Sequence, residues 1–296
     1  MPITCDFDYH KPKSLAEATK LLVRYKGRAQ VLAGGTDLIV WLKEGMRSPE
    51  ALIDIKAIGE LKRLEIKDDA LHIGARTTFA ELIESDLVKK RFPILWEASR
   101  TVASCGVRNR ATLIGNLCSA VPSLDGAPAL LVHDARVCAR GSAEQREIPI
   151  SKWFTGPKRT ALLTDEIVTG VVIPVPKKKT AGVYVKLGRY SGEDLAQVGL
   201  AVLIEEENIY RVAFCAVGPI PKRAAKIESL LQGKKLSDDL IRKARKLVSQ
   251  EISPITDIRS SLEYRQLMAE VMLERGLKAA AARLLGKGPA LGESLL

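Results

Sequence analysis

The stretch Gln30–Leu42, QVLAGGTDLIVWL, decides how this chain is read. Val31, Leu32 and Ala33 form an apolar run that stops at Gly34-Gly35-Thr36-Asp37, after which Leu38, Trp41 and Leu42 recur at helical spacing. That is the pattern of a strand, a glycine turn and the start of a helix. Paired glycines let a backbone enter positive φ and bring its N–H groups close to a ligand. The first N–H groups of a helix lack internal partners and point outward. Such a corner suits a phosphate. It equally suits an ordinary left-handed turn, and the stretch alone does not choose between them.

Upstream, Cys5–Tyr9 reads as a strand, and Ser14-x-x-Glu17 opens a helix as a capping box, with Leu15, Ala18, Leu21, Leu22 and Tyr25 on one face and Gly27 as its stop. Downstream, Ala51–Ile55 reads as a strand that completes a first α/β lobe. A second lobe begins near Leu61. Leu64–Ile66 and Leu71–Gly74 alternate like paired strands, Thr78-x-x-Glu81 is another capping box, and Pro93 begins a helix toward Val102. Then comes Ala103–Asp125, ASCGVRNRATLIGNLCSAVPSLD, rich in short hydroxyl and amide groups, with few charges beyond Arg108, Arg110 and Asp125. So long a polar, weakly charged connection is unusual as mere surface. It reads either as a polar ligand's cradle or as a buried connection that satisfies its own backbone. Ala127–His133 reads as a helix, and Ala135–Ala139, Ile148–Phe154 and Glu166–Ile173 as strands. Past Pro174-Val-Pro176 and a lysine run, Val183–Leu187, Val198–Glu205 and Ile209–Val217 read as an antiparallel sheet with a turn at Asn208. Helices are expected over Arg223–Leu231, Ser237–Ser249 and Ser260–Arg275, the last extending toward Leu285.

Composition narrows the function. Five cysteines, at 5, 105, 118, 138 and 215, contain no Cys-x-x-Cys pair, so neither a disulfide framework nor a cysteine-held iron–sulfur cluster is expected. Three scattered histidines, 10, 72 and 133, supply no local metal motif, and no metal site is expected. The net charge of +11 invites a nucleic-acid reading, but the basic residues are dispersed and aromatics are sparse, which disfavours it. A basic surface that meets an acidic partner or an anionic cofactor fits better. No apolar run reaches membrane-span length, and the N-terminal residues lack signal-peptide order, so a cytoplasmic protein is expected.

At this point the residues resemble a known family. Ala33-Gly34-Gly35-Thr36-Asp37-Leu38 is similar to the first flavin motif of the FAD-binding (medium) subunits of molybdenum hydroxylases, the xanthine dehydrogenase and carbon monoxide dehydrogenase group. Thr112–Asp125 resembles their second motif, Glu166-Ile167-Val168 the strand that follows, and Lys186 with Glu193-Asp194-Leu195-Ala196 the opening of their C-terminal domain. Asp257-x-Arg259-Ser260-x-x-x-Tyr264-Arg265 is similar to their C-terminal helix signature. The resemblance implies an α+β fold: a two-lobed, vanillyl-alcohol-oxidase-like (PCMH-type) FAD-binding domain over 1–176, with lobes of about 1–56 and 57–176. A small domain of antiparallel sheet plus helices over 177–285 and a flexible tail over 286–296 follow.

The resemblance also implies non-covalent FAD. Leu32, Ala33, Gly34, Gly35, Thr36 and Asp37 would hold its diphosphate through backbone N–H groups, and Thr112, Gly115, Asn116, Cys118, Ser119 and Asp125 would contact diphosphate, ribityl and adenosine parts. Ala103, Ile167, Val168 and Lys186 would lie near the isoalloxazine. No side chain is expected to act as a catalytic acid or base. Molybdopterin and 2Fe–2S clusters would sit on a large and a small partner subunit, with NAD or another acceptor taking the electrons. Two departures stand out: Ile114 occupies the place of the family's first glycine in a Gly-Gly pair, and Tyr190 that of a second arginine. A β-branched residue resists positive φ, so Ile114 puts that FAD contact in question. Two rivals remain: a stand-alone FAD-dependent oxidoreductase of the same fold, and a flavin-less binding homologue.

Overall fold

The computed structural model describes residues 2–190 and 194–296; Glu193 of the motif quoted above lies outside them. The first lobe runs β1 (Asp8–His10), α1 (Leu15–Tyr25), β2 (Ala29–Leu32), α2 (Leu38–Lys43) and β3 (Ala51–Asp54). Its strands lie in the order β1-β3-β2, all parallel, which requires the helical crossovers that the sequence supplies. The strand expected from Cys5 begins only at Asp8, because Cys5 and Phe7 pack on Leu32, Leu38, Leu42 and Leu52 instead of joining the sheet. Ser14 Oγ accepts the Glu17 N–H at 3.2 Å, but the Glu17 carboxylate accepts from Lys13 N, so the expected capping box is half formed.

The second lobe comprises β4 (Leu64–Lys67), β5 (Ala70–Gly74), α3 (Phe79–Glu84), α4 (Asp86–Arg91), α5 (Pro93–Arg100), α6 (Cys105–Arg108), α7 (Leu113–Ser119), α8 (Gly126–Val132), β6 (Arg136–Arg140), β7 (Gln145–Pro149), β8 (Phe154–Gly156), β9 (Arg159–Thr160) and β10 (Ile167–Pro174). Its main sheet is antiparallel in the order β4-β5-β10-β6-β7. The Thr78–Glu81 capping box is complete. Ile148–Phe154 is not one strand: Ile150–Lys152 forms a 3₁₀ turn that buries Ile150 and lets Trp153 Nε1 donate to Leu117 O at 3.0 Å. The polar stretch 103–125, for which no helix was expected, contains the two short helices α6 and α7, capped by the Ser104 and Thr112 hydroxyls.

The C-terminal domain is an antiparallel sheet, β11 (Thr180–Leu187), β12 (Val198–Glu205), β13 (Ile209–Cys215) and a short fourth strand β14 (Lys222–Arg223), with α9 (Ala225–Leu231), α10 (Asp238–Leu247) and α11 (Leu262–Leu284). Glu207 and Asn208 both take positive φ, +66° and +61°, in the β12–β13 turn. The long α11 lies on β11 and β12, where Gly276 lets the backbone approach the sheet: a Cβ there would stand 3.1 Å from Val202.

Buried ion pairs join this domain to the second lobe. Arg283 pairs with Glu97 at 2.8 Å, and Glu97 also accepts from Tyr184 N at 2.9 Å. The segment past Leu285, expected as a loose tail, is held on the same carboxylate: Gly292 N donates to Glu97 at 2.9 Å, while Arg283 donates to Pro289 O and Ala290 O. No helix among the described residues is long and apolar enough to cross a membrane.

Candidate flavin site

The glycine turn after β2 performs two separate tasks. Gly35 takes φ +78°, which an L side chain resists, and so redirects the chain into α2. Gly34 lies against the residues just before the second motif: a Cβ there would stand 2.0 Å from Arg110 O and 3.0 Å from Ala111 Cα. The glycine turn and the polar stretch 103–125 therefore approach backbone to backbone at Arg110-Ala111. Among the described residues the N–H groups of Gly34, Gly35, Thr36 and Asp37 have no acceptor. Ile39 N, by contrast, donates back to Gly35 O at 2.9 Å and closes the turn.

These two stretches and the ends of α5 and β10 surround one cavity of about 640 Å³, within the range of roughly 300–1,000 Å³ usual for small-molecule sites. Of the residues singled out in sequence, Ala33, Gly34, Gly35, Thr36, Asp37, Ala103, Thr112, Gly115, Asn116, Cys118, Ser119, Asp125, Ile167 and Val168 line it. Leu32 and Lys186 do not. Leu32 is buried with Leu38, Leu42 and Leu52 beneath the turn. Lys186 is buried behind Asp125, donating to Asp125 Oδ2 at 2.9 Å and to Thr101 O at 2.8 Å. It thus pairs with a wall residue and contributes no free charge to the cavity. Asp125 also accepts from Tyr184 O–H at 2.7 Å; burial pushes its carboxyl up, and Lys186 and Tyr184 oppose that.

No Lys or Arg is among the lining residues, so an anion in this cavity would depend on backbone N–H groups. Burial raises the Asp37 carboxyl, with the Ser119 hydroxyl opposing. Thr112 caps α7 by accepting Gly115 N at 2.9 Å, and a Cβ on Gly115 would sit 2.9 Å from the same hydroxyl. Asn116 Oδ1 is buried with no partner among the described residues. That oxygen lies against the start of α8, where a Cβ on Gly126 would stand 3.1 Å from it. The Cys118 thiol is open to the cavity space, while the protein around it pushes its pKa up to about 12.

Ile114 resolves simply. It is the second residue of α7, does not take positive φ, and is 3% exposed against the core. A β-branched side chain is compatible with that helical backbone, so the departure from glycine distorts nothing there. Tyr190 is exposed, with the Arg189 guanidinium 5.5 Å from its ring centre. The signature Asp257–Arg265 does not line this cavity; it forms a clasp in which Asp257 accepts from Arg259 at 2.7 Å and Arg265 at 2.6 Å.

Several wall residues were not singled out by sequence. Trp41 lines the cavity, with Arg47 and Lys158 at 5.7 and 5.6 Å from its ring. Its helical spacing suggested only core. Asp194 and Leu195 also line it, and the motif containing them was the available signal. Arg108 supports the wall at Ala103 from behind; its only sequence signal is a charge in an otherwise weakly charged stretch.

A two-lobed α+β domain that brings unpaired backbone N–H groups and short polar side chains to the wall of such a cavity defines a nucleotide-cofactor-binding protein. Comparison with known proteins gives the particular kind. A model of the FAD binding domain in molybdopterin dehydrogenase matches residues 5–176, and one of the CO dehydrogenase flavoprotein C-terminal domain matches 183–280. The chain is 33% identical to the carbon monoxide dehydrogenase medium chain of Hydrogenophaga pseudoflava over 281 residues, 94% of this chain and 98% of that one. It is 30% identical to the xanthine dehydrogenase FAD-binding subunit of Escherichia coli O157:H7 over 285 residues, covering 94% and 97%. The solved structure of carbon monoxide dehydrogenase from H. pseudoflava superposes with a TM-score of 0.92 at 33% identity, over 96% of this chain and 99% of that one. Quinoline 2-oxidoreductase from Pseudomonas putida 86 superposes with 0.90 at 26% identity, over 96% and 100%. The chain belongs to the FAD-binding (medium) subunits of the molybdenum hydroxylases and is an oxidoreductase component.

Proposed function

We propose that this chain is the electron-transfer subunit of a heteromeric molybdenum hydroxylase. It takes electrons from 2Fe–2S clusters on a small partner chain and passes them to an acceptor, while the organic substrate is oxidised at a molybdopterin centre on a large partner chain. The observation that carries this reading is the convergence of Gly34–Asp37 and Thr112–Asp125 on one cavity in a chain matched to the family along its length. The redox chemistry is the flavin's, as for cofactor enzymes generally.

The protein's part is to bind and exclude water. The N–H groups of Gly34 to Asp37 would take the diphosphate, and Asn116 and Ser119 its polar neighbours. Ala103, Ile167 and Val168 offer apolar wall to the ring system. Among the described residues no group of three His, Cys, Asp or Glu lies close enough to hold a metal ion.

The test is to prepare the chain alone and together with its two partner subunits. About one FAD per chain should copurify and be released completely into the supernatant on acid precipitation. Flavin reduction by an organic substrate should require the assembled complex; rapid reduction of the isolated chain would establish a stand-alone flavoenzyme instead. NADH-driven dye reduction by the isolated chain would identify NAD as the acceptor.

A further inference from the structure

Between α5 and α6 the chain makes a turn in which three successive carbonyls, of Thr101, Val102 and Ala103, are held by cationic side chains. Lys186 Nζ donates to Thr101 O at 2.8 Å. Arg108 Nη1 donates to Val102 O at 2.9 Å and to Ala103 O at 2.6 Å. Ala103 sits at φ +38°, in the left-handed region that non-glycine residues rarely enter. Both Val102 and Ala103 line the cavity, whereas Arg108 does not. Arg108 is anchored to the same turn by its own N–H, which donates to Ser104 O at 2.9 Å, and the Ser104 hydroxyl caps α6 by accepting Val107 N at 3.3 Å. The guanidinium therefore crosses back over the turn that it closes.

We propose that Arg108 is a positioning residue for the flavin site: its guanidinium, shared between the Val102 and Ala103 carbonyls, holds Ala103 left-handed and so sets the cavity wall that the ring system meets. The inference rests on the flavin reading of the cavity. Its physical content is a competition. A Cβ at positive φ favours relaxation of residue 103 into the right-handed or extended region, which would swing both carbonyls and the wall. Charge-assisted bonds to two carbonyls oppose that relaxation. Glycine at 103 lacks the Cβ penalty and should need the arginine less. A β-branched residue should defeat it.

Four variants of the full chain, R108Q, R108K, A103V and the double variant A103G/R108Q, are compared with wild type by two measurements. Hydrogen exchange of the flavin-free chain reads the positioning itself. The amides of residues 102–105 should exchange at least about tenfold faster in R108Q and A103V, and near the wild-type rate in R108K, which still carries a donor cation. Titration with FAD reads the consequence. The dissociation constant should rise about tenfold or more in R108Q and A103V, with a shifted visible flavin band. A103G/R108Q should recover both the affinity and the band position to within about threefold of wild-type affinity. Unchanged exchange in R108Q overturns the positioning role. Faster exchange with unaltered affinity and spectrum overturns its link to the flavin, as does a double variant that recovers nothing, since that result means Arg108 serves general stability only. A wild-type chain that binds no FAD overturns the reading of the cavity, and the exchange data then decide the role of Arg108 by themselves.

Discussion

The glycine turn at Gly34–Asp37 and the clasp at Asp257–Arg265 are both motifs on loops that enter helices, and they are built in opposite ways. In the clasp, side chains answer one another. Arg265 is 2% exposed, donates to Asp257 Oδ1 at 2.6 Å and to the carbonyls of Gln197 and Ala216 at 3.2 and 3.1 Å. It thereby ties the start of α11 to the strand ends of the sheet. The two guanidinium groups hold the Asp257 carboxyl well below the usual carboxylate range, Arg259 contributing most, against the opposing effect of burial. At the glycine turn, backbone N–H groups have no acceptor among the described residues and face a cavity. Even the clasp is not fully satisfied, because Arg259 Nη1 and Arg265 Nε are buried without a partner among the described residues; the difference is that its charges pair within the motif, whereas the unpaired N–H groups of the turn belong to residues that line a cavity.

Breaking the clasp should have the largest effect. Arg265→Met removes one partner of a buried charge cluster and should lower stability by about 3–5 kcal/mol, read by urea unfolding of the flavin-free chain. A loss under about 1 kcal/mol would mean that the clasp is not structural. The glycine turn should show the reverse balance. Gly35→Val, at φ +78°, should weaken FAD binding by roughly 2–4 kcal/mol while costing folding less. Wild-type flavin content in a normally folded Gly35→Val protein would contradict the division of labour drawn here.

A third, smaller effect sharpens what an unpartnered buried atom signifies. His133 Nε2, like Asn116 Oδ1, lacks a partner among the described residues, but it packs edge-on to Phe92 and His133 is not among the residues that line the flavin cavity. Burial, with the Arg211 charge, lowers its pKa to about 4. The group is neutral when folded and gains a proton more readily when unfolded, so its contribution is fully present above about pH 6.5 and is lost as pH falls from there through 4. Roughly 2–3 kcal/mol should be lost by pH 4. His133→Leu should flatten that part of the stability–pH curve and leave the FAD dissociation constant at pH 7 unchanged. A weaker flavin affinity in His133→Leu would mean that an orphan atom outside the cavity also serves the ligand.

Local order was largely legible along the chain. Ser14, Thr78 and Ser237 cap the helices that their spacing announced, and Val198–Glu205 is a strand to the residue. These features depend on neighbours within a few positions, through dihedral preference and short hydrogen bonds. The glycine turn and the second motif admitted a polar ligand site without requiring one, because short hydroxyl and amide side chains can satisfy either a ligand or their own backbone. Residue types and spacing carried the family resemblance through five motifs in order.

What the sequence could not contain was which groups meet across long separations. Lys186, expected near the isoalloxazine, is drawn by the interdomain packing onto Asp125, sixty-one positions away, and leaves the cavity wall. Ile114 looked like a defect in a glycine motif until the backbone proved helical there. The last residues looked loose, yet Gly292 reaches Glu97, 195 positions back. Arg108 was one charge among neighbours until its guanidinium was seen on two carbonyls of the wall. Local preferences specify the elements and the chemistry they carry. The desolvation of charges and the pairing it compels are decided only when distant elements close on one another, and that closure is a property of the folded chain.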